Sequence, residues 1–91
     1  MTSRVERTVV IANQRGLHAR ASSKFVTLVS ELETEVEVSR EGNVVAGSSI
    51  LDLMMLGAAM GDSIVIAAEG DNAEEAVNRL ADLVESKFGE E

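Results

Sequence analysis

Residues 13–22, Asn13-Gln-Arg-Gly-Leu-His-Ala-Arg-Ala-Ser22, separate an apolar segment before them from a helix-like segment after them. Residues 5–11 are rich in β-branched side chains, which is typical of a strand. From about Ala19 onward, apolar side chains recur every three or four residues, which predicts an amphipathic helix. The sequence therefore predicts a strand, a turn at Gly16, and a helix whose N-terminal edge carries His18.

Alternation and turn residues predict three further strands. Residues 33–40 alternate between polar and apolar side chains, a pattern typical of a strand with one buried face. Residues 41–43 favour a turn, so the short apolar segment 44–46 can return beside the alternating strand as a hairpin. A β-branched run at residues 63–68 predicts the last strand.

A short helix is predicted between the third and fourth strands. Ser48 or Ser49 can cap it, because a serine hydroxyl accepts a hydrogen bond from a free N–H of the first turn. The helix is expected to cover residues 50–56. Gly57 is expected to end it in the left-handed conformation.

A last helix follows the fourth strand. Asp71 is expected to cap it, with Glu74 in the capping-box position three residues later. Its apolar stripe is expected to extend from Ala73 to Phe88. The resulting order is β-α-β-β-α-β-α. One sheet that needs cover, and three helices with one apolar stripe each, predict a two-layer α+β sandwich.

Composition limits the classes of function. The chain has 91 residues, a formal charge of −8, no cysteine and one histidine. We therefore expect one domain over residues 1–91 and no metal or cofactor site. Because binding to nucleic-acid phosphates needs clustered Lys and Arg, we expect no nucleic-acid partner. The sequence has neither a secretory signal pattern nor an apolar run of about 18 residues, so we expect a cytoplasmic protein without membrane insertion.

His18 is the candidate for phosphoryl-group chemistry. A neutral imidazole is a nucleophile near neutral pH, and a helix N-terminus supplies free N–H donors and about half a unit of positive charge. Arg20 adds a guanidinium that can bind phosphate oxygens. Arg15 and Lys24 extend this cationic zone, since residues 7–30 contain no acid. A surface histidine without a catalytic role is the alternative that composition alone leaves open.

Residues 13–22 resemble the signature of the phosphocarrier HPr family of the bacterial phosphoenolpyruvate-dependent phosphotransferase system, which reads Asn-x-x-Gly-Leu-His-Ala-Arg-Pro-Ala. Asn13 and residues 16–20 match it position by position. Ala21 and Ser22 stand where the family usually has Pro and Ala. Proline suits the first turn of a helix because it lacks an N–H, so Ala21 adds a donor at this end.

A second segment, residues 48–58, is similar to another motif of the family, Lys-Ser-Ile-Met-x-x-Met-x-Leu-Gly-Ala. Ser49 falls on the serine of this motif, and Ser48 stands where the family often has Lys. The predicted element order is also that of the family. The resemblance implies an HPr-like open-faced sandwich, in which three helices cover one face of a four-stranded antiparallel sheet.

The resemblance also implies roles for the site residues. His18 would accept a phosphoryl group on Nδ1 from enzyme I, which phosphoenolpyruvate charges, and would donate it to an enzyme IIA domain. Arg20 would help to hold the phosphohistidine. The residues expected to dock both partners are Ala19, Ile50, Leu51 and Met54. The expected protein is a monomeric phosphotransfer intermediate rather than a stand-alone enzyme, serving sugar uptake or a nitrogen-type regulatory phosphorelay.

Ser49 carries two interpretations. In many members of the family, a dedicated HPr kinase/phosphorylase phosphorylates the serine at this position. The other interpretation is a helix cap and no more, and both roles can hold together. A phosphate there would place about two negative charges in the docking surface.

A function of a different class is also compatible with the sequence. A small α+β regulatory module could bind an anionic metabolite or a protein partner without covalent chemistry, and fold alone does not separate it from a phosphocarrier. Phosphohistidine formation would favour the carrier. Tight, Arg20-dependent anion binding without it would favour the regulatory module.

Overall fold

The computed structural model describes residues 4–90, which form four strands, three α-helices and a final 3₁₀ turn. The strands are β1 (Arg4–Val10), β2 (Val36–Arg40), β3 (Asn43–Ala46) and β4 (Ser63–Glu69). The helices are α1 (Ala19–Leu32), α2 (Ile50–Met55) and α3 (Ala73–Glu85), and the 3₁₀ turn spans Lys87–Gly89. The predicted order β-α-β-β-α-β-α is confirmed.

The four strands form one antiparallel sheet in the order β1-β4-β2-β3. Alternate side chains along each strand point into the core, as Val9, Ile64 and Val38 do, and each of these is at most 2% exposed. α3 contacts β1 and β4, and α1 contacts both other helices. The predicted open-faced α+β sandwich is confirmed, with β1 and β3 as the edge strands of the sheet.

β2 is shorter than the sequence predicts. It begins at Val36 rather than at residue 33. Glu33 instead ends α1 in the left-handed conformation, with φ of 53°, and donates its N–H to the Ser30 carbonyl. Residues 33–35 therefore lie outside β2. Glu33 caps α1 instead, because the last carbonyls of a helix need donors.

The predicted cap of α3 is wrong. The cap position is Asn72, whose side chain makes no capping hydrogen bond. Gly70 has φ of 109° and its carbonyl accepts the Ala73 N–H, so a turn leads directly into the helix. Asp71 lies inside this turn, one residue before the cap position.

The C-terminal segment is not the continuous helix that the apolar stripe predicts. α3 ends at Glu85, and Lys87 and Phe88 have left-handed φ values of 62° and 56°. Phe88 is fully buried nevertheless, since the 3₁₀ turn directs its ring into the core. Lys24 on α1 donates from Nζ to the Phe88 carbonyl at 2.7 Å. This bond ties the C-terminal turn to α1.

At Gly16, the turn before α1 packs closely against the loop after α2. Its φ is 65°, and the neighbouring Leu17 donates its N–H to the Ala58 carbonyl at 3.1 Å. A Cβ on Gly16 would lie 2.4 Å from that same carbonyl oxygen. Glycine is therefore required both by backbone conformation and by the close approach of the two segments.

Alanine at Gly16 should be much more destabilising than alanine at Gly57. Gly57 has a similar φ of 69°, but a Cβ there would meet nothing within 4 Å. We expect Gly57→Ala to lower the free energy of unfolding by about 1 kcal/mol and Gly16→Ala by about 3 kcal/mol, since only the latter adds a backbone clash. Urea unfolding of both variants measures this, and equal losses would contradict the contact.

Candidate functional site around His18

His18 is the N-cap residue of α1. Its backbone is extended, with φ of −78° and ψ of −176°, and its Nδ1 accepts the N–H of Arg20 at 3.2 Å. An imidazole nitrogen that accepts a hydrogen bond carries no proton. The Nδ1 lone pair therefore faces the free N–H groups at the start of the helix, and the side chain is 21% exposed.

The other ring nitrogen of His18 contacts an acid that no sequence motif indicates. Nε2 lies 2.8 Å from Oε2 of Glu90. Because Nδ1 accepts, Nε2 carries the ring proton and donates it to this carboxylate. The hydrogen bond from His18, with a further one from Asn13, holds the pKa of Glu90 below its usual 4.5, although burial acts in the opposite direction.

Asn13 connects this carboxylate to the turn. It is 1% exposed, and its Nδ2 donates to the Gly16 carbonyl at 2.9 Å and to Oε1 of Glu90 at 3.2 Å. The two acceptors orient the amide, and Oδ1 has no hydrogen-bond partner within the described residues. Asn13 was predicted only as a member of the signature, and the structure shows that it links the turn to the carboxylate beside His18.

The cationic side chains predicted around His18 differ in their contacts. Arg15 and Arg20 are exposed, and neither side chain makes an ion pair or hydrogen bond with any part of residues 4–90. Lys24 is different, because its ammonium is bonded to the Phe88 carbonyl. Two guanidinium groups therefore stand open to solvent near the histidine, while the lysine fixes the C-terminal turn.

The first turn of α1 forms without the proline of the family signature. Ala21 and Ser22 are both 0% exposed. The Ser22 hydroxyl donates to the Leu17 carbonyl at 3.3 Å, and its N–H donates to the His18 carbonyl at 2.9 Å. Buried small side chains and local hydrogen bonds thus define this end of the helix.

The residues predicted to dock partners are on the surface. Ala19 is exposed at the start of α1, and α1 packs against α2. On α2, the exposed fractions are 40% for Ile50, 66% for Leu51 and 40% for Met54. Met55 and Met60, which the prediction did not include, are 74% and 57% exposed. Exposed apolar side chains on one short helix and the loop after it are typical of an interaction surface.

Arg40 holds the loop that follows α2. Its guanidinium donates to the Leu56 carbonyl at 3.1 Å and lies 3.2 Å from Oδ2 of Asp62. The same Asp62 oxygen accepts the Ala59 N–H at 2.8 Å. The loop that meets Gly16 is thereby fixed at both ends, and this contact is not evident from the sequence.

Ser49 is the N-cap of α2. Of the two candidate serines, it is the one whose hydroxyl accepts the Asp52 N–H, at 3.1 Å. It is half-buried and directly precedes Ile50. A group added to this hydroxyl would lie at the edge of the exposed apolar residues.

The part of the chain that the structure describes contains neither a metal-binding cluster of side chains nor a membrane-spanning helix. Across residues 4–90, no three or more His, Asp or Glu side chains are placed to hold a metal ion. Within the same range, no helix is long and apolar enough to cross a membrane. The carboxylate of Glu37, on β2, lies 3.3 Å from the guanidinium of Arg4.

Known proteins share this fold and sequence. Residues 5–86 match the family model described as "PTS HPr component phosphorylation site". The phosphocarrier protein HPr of Neisseria meningitidis serogroup A is 42% identical over 86 residues, covering 94% of this chain and 97% of the relative. The phosphocarrier protein NPr of Shewanella violacea is 36% identical over 88 residues, covering 97% of both. The crystal structure of HPr-C-His from Thermoanaerobacter tengcongensis has a TM-score of 0.89 and 42% identity, covering 96% of this chain and 98% of that one.

Proposed function

The chain belongs to the HPr family of phosphocarrier proteins of the phosphotransferase system, and from this membership we propose that it relays a phosphoryl group through His18. The donor is phosphorylated enzyme I, and the acceptor is an enzyme IIA domain. The observation that carries the proposal is the state of the imidazole. Nδ1 presents a lone pair at the start of a helix, while Nε2 is bonded to a carboxylate.

The proposed transfer uses this geometry. The Nδ1 lone pair attacks the phosphorus of the donor phosphohistidine, and the electron pair of the broken P–N bond returns to the donor nitrogen. The incoming phosphoryl oxygens then lie near the N–H groups of the first turn of α1, where the helix dipole contributes about half a unit of positive charge. Without enzyme I and an enzyme IIA domain, the protein catalyses no reaction in this proposal.

Arg20 supports the phosphorylated state in this proposal. Its exposed guanidinium, two residues after His18, has no competing partner within residues 4–90. A planar guanidinium can donate two parallel hydrogen bonds to phosphate oxygens. Arg20 is therefore able to turn toward a phosphoryl group on His18 without breaking a contact of the described structure.

The exposed residues of α2 are proposed as the common docking surface for donor and acceptor. Ile50, Leu51 and Met54 supply the apolar contacts, and Ala19 supplies the adjoining contact on α1. The flexible side chain of Met54 suits a surface that binds two different partners in succession.

The acceptor class distinguishes two routes for the phosphoryl group. An enzyme IIA of sugar uptake would make this protein a transport component, and one of the nitrogen type would place it in a regulatory phosphorelay. Relatives named HPr and NPr both cover nearly the whole chain. Transfer assays with one enzyme IIA domain of each type, under identical conditions, identify the route by the faster acceptor.

Replacement of His18 should abolish phosphorylation. With enzyme I and labelled phosphoenolpyruvate, the wild-type protein should acquire one acid-labile phosphate, and His18→Ala should acquire none. Because His18 also caps α1, His18→Asn is the matched variant, since asparagine retains a capping side chain but cannot form a phosphohistidine. Labelling of either variant would contradict the proposal. Arg20-dependent anion binding without labelling would favour a non-covalent regulatory module.

A charge on α2 should weaken docking selectively. We expect Leu51→Glu to reduce the second-order rate of transfer from enzyme I by about tenfold, because a buried interfacial charge costs more than 1 kcal/mol. Val44→Glu is the control, because Val44 is 59% exposed but lies on β3, whose outer side chains belong to the uncovered face of the sheet. Equal rates for the two variants would contradict a docking role for α2.

Ser49 is proposed as a site at which HPr kinase/phosphorylase controls docking. Ser49→Asp keeps a capping side chain and adds a negative charge, whereas Ser49→Asn caps without the charge. We expect Ser49→Asp to lower the transfer rate by about fivefold relative to Ser49→Asn, at similar thermal stability. Indistinguishable transfer rates would show that charge at Ser49 does not control docking, and failure of the kinase to label Ser49 would remove the proposed site.

A further inference from the structure

The C-terminal turn places Glu90 beside His18. Three successive residues with left-handed φ, Lys87, Phe88 and Gly89, form a turn after α3. The buried ring of Phe88 and the 2.7 Å bond from Lys24 to its carbonyl anchor this turn to the core and to α1. Glu90, two residues further on, then reaches both Asn13 and His18.

We propose that Glu90 is a positioning residue for phosphoryl transfer, whose carboxylate keeps the proton on Nε2 of His18 both before and after the phosphoryl group binds Nδ1. The proposal rests on the phosphocarrier function above and adds a residue to it. It is argued from the two hydrogen bonds of the Glu90 carboxylate and from the anchored turn that presents it.

Before transfer, the carboxylate and the helix act on opposite sides of the ring. Glu90 accepts the Nε2 proton at 2.8 Å, while the Arg20 N–H occupies the Nδ1 side at 3.2 Å. A proton on Nδ1 would lose both hydrogen bonds and would face an N–H donor. The arrangement therefore favours the tautomer in which Nδ1 is unprotonated and Nε2 carries the proton.

After transfer, the same carboxylate stabilises the charge on the ring. Formation of the P–Nδ1 bond uses the lone pair of Nδ1, so the ring keeps its Nε2 proton and becomes cationic. Glu90 then forms a charge-assisted hydrogen bond with it. The charged groups facing the carboxylate are His18 itself and the Lys24 ammonium on α1, and both favour its ionised form.

The retained proton matters for release of the phosphoryl group. When the acceptor attacks phosphorus, the electron pair of the P–Nδ1 bond returns to Nδ1. If Nε2 is protonated, the ring leaves as a neutral imidazole. If Nε2 has lost its proton, the ring must leave as an imidazolate anion, which is a much poorer leaving group. Glu90 is therefore expected to extend rapid donation to higher pH.

Variants of Glu90 test the proposal without altering the core. Glu90→Gln removes the charge at constant shape, Glu90→Ala removes the acceptor, and Glu85→Gln is the control, because Glu85 lies 3.3 Å from Arg7 rather than near His18. In proton–nitrogen NMR of the unphosphorylated protein, we expect a protected Nε2–H signal of His18 in the wild type and in Glu85→Gln. The signal should be weakened in Glu90→Gln and lost in Glu90→Ala.

The second measurement is the pH profile of donation from the phosphorylated protein to an enzyme IIA domain. At pH 6 all variants should donate at similar rates. At pH 8 we expect Glu90→Gln to be about threefold to tenfold slower than the wild type and Glu85→Gln to be unchanged, because loss of a charged partner lets Nε2 deprotonate at lower pH. Superimposable pH profiles and an unchanged Nε2–H signal would overturn the role of Glu90. Absence of any phosphohistidine, with the Nε2–H signal intact, would instead overturn the proposed phosphocarrier function.

Discussion

The close contact between Gly16 and the Ala58 carbonyl is the constraint on which the site depends. It exists because Gly16 has no Cβ and adopts a left-handed φ of 65°. The contact brings the loop after α2 against the turn before α1. A hydrogen bond from the Leu17 N–H to the same carbonyl stabilises it. The two segments that resemble family motifs thus meet in space, although Gly16 and Ala58 lie 42 residues apart in the chain.

From this contact, the placement of the histidine follows. The turn ends at His18, which caps α1 with its own Nδ1 rather than with a hydroxyl or carboxylate. In the proposed relay, this capping nitrogen is also the nucleophile. The N–H groups at the start of α1 that have no partner within the helix would then be the donors that bind the phosphoryl oxygens. On the far side of the ring, Glu90 and Asn13 complete the hydrogen bonding.

Charge is distributed in a way that suits this arrangement. The chain is acidic overall, with a formal charge of −8, yet the exposed guanidinium groups of Arg15 and Arg20 lie at the His18 end of α1. Lys24, from the same cationic zone, instead holds the C-terminal turn in place. The site thus combines two exposed cations with one carboxylate. This carboxylate is directed at Nε2 rather than at the helix N-terminus, where it would repel the phosphoryl group of the proposed relay.

The sequence by itself determined the element order, the sheet-forming segments, the position of His18 at the start of a helix and the exposed apolar side chains of α2. These depend on local periodicity, on glycine and on capping residues, which act over a few positions. Predictions from local patterns are wrong at Glu33, at Asp71 and at the end of α3. At the first two positions turn geometry competes with the strand and capping patterns, and at the third the burial of Phe88 competes with the helix pattern. Only the tertiary structure decided which serine caps α2, how Arg40 fixes the neighbouring loop, and that Glu90, 72 residues from His18, supplies its partner. The physical reason is that a hydrogen bond between distant residues depends on the path of the folded chain, for which neither residue carries a local signal.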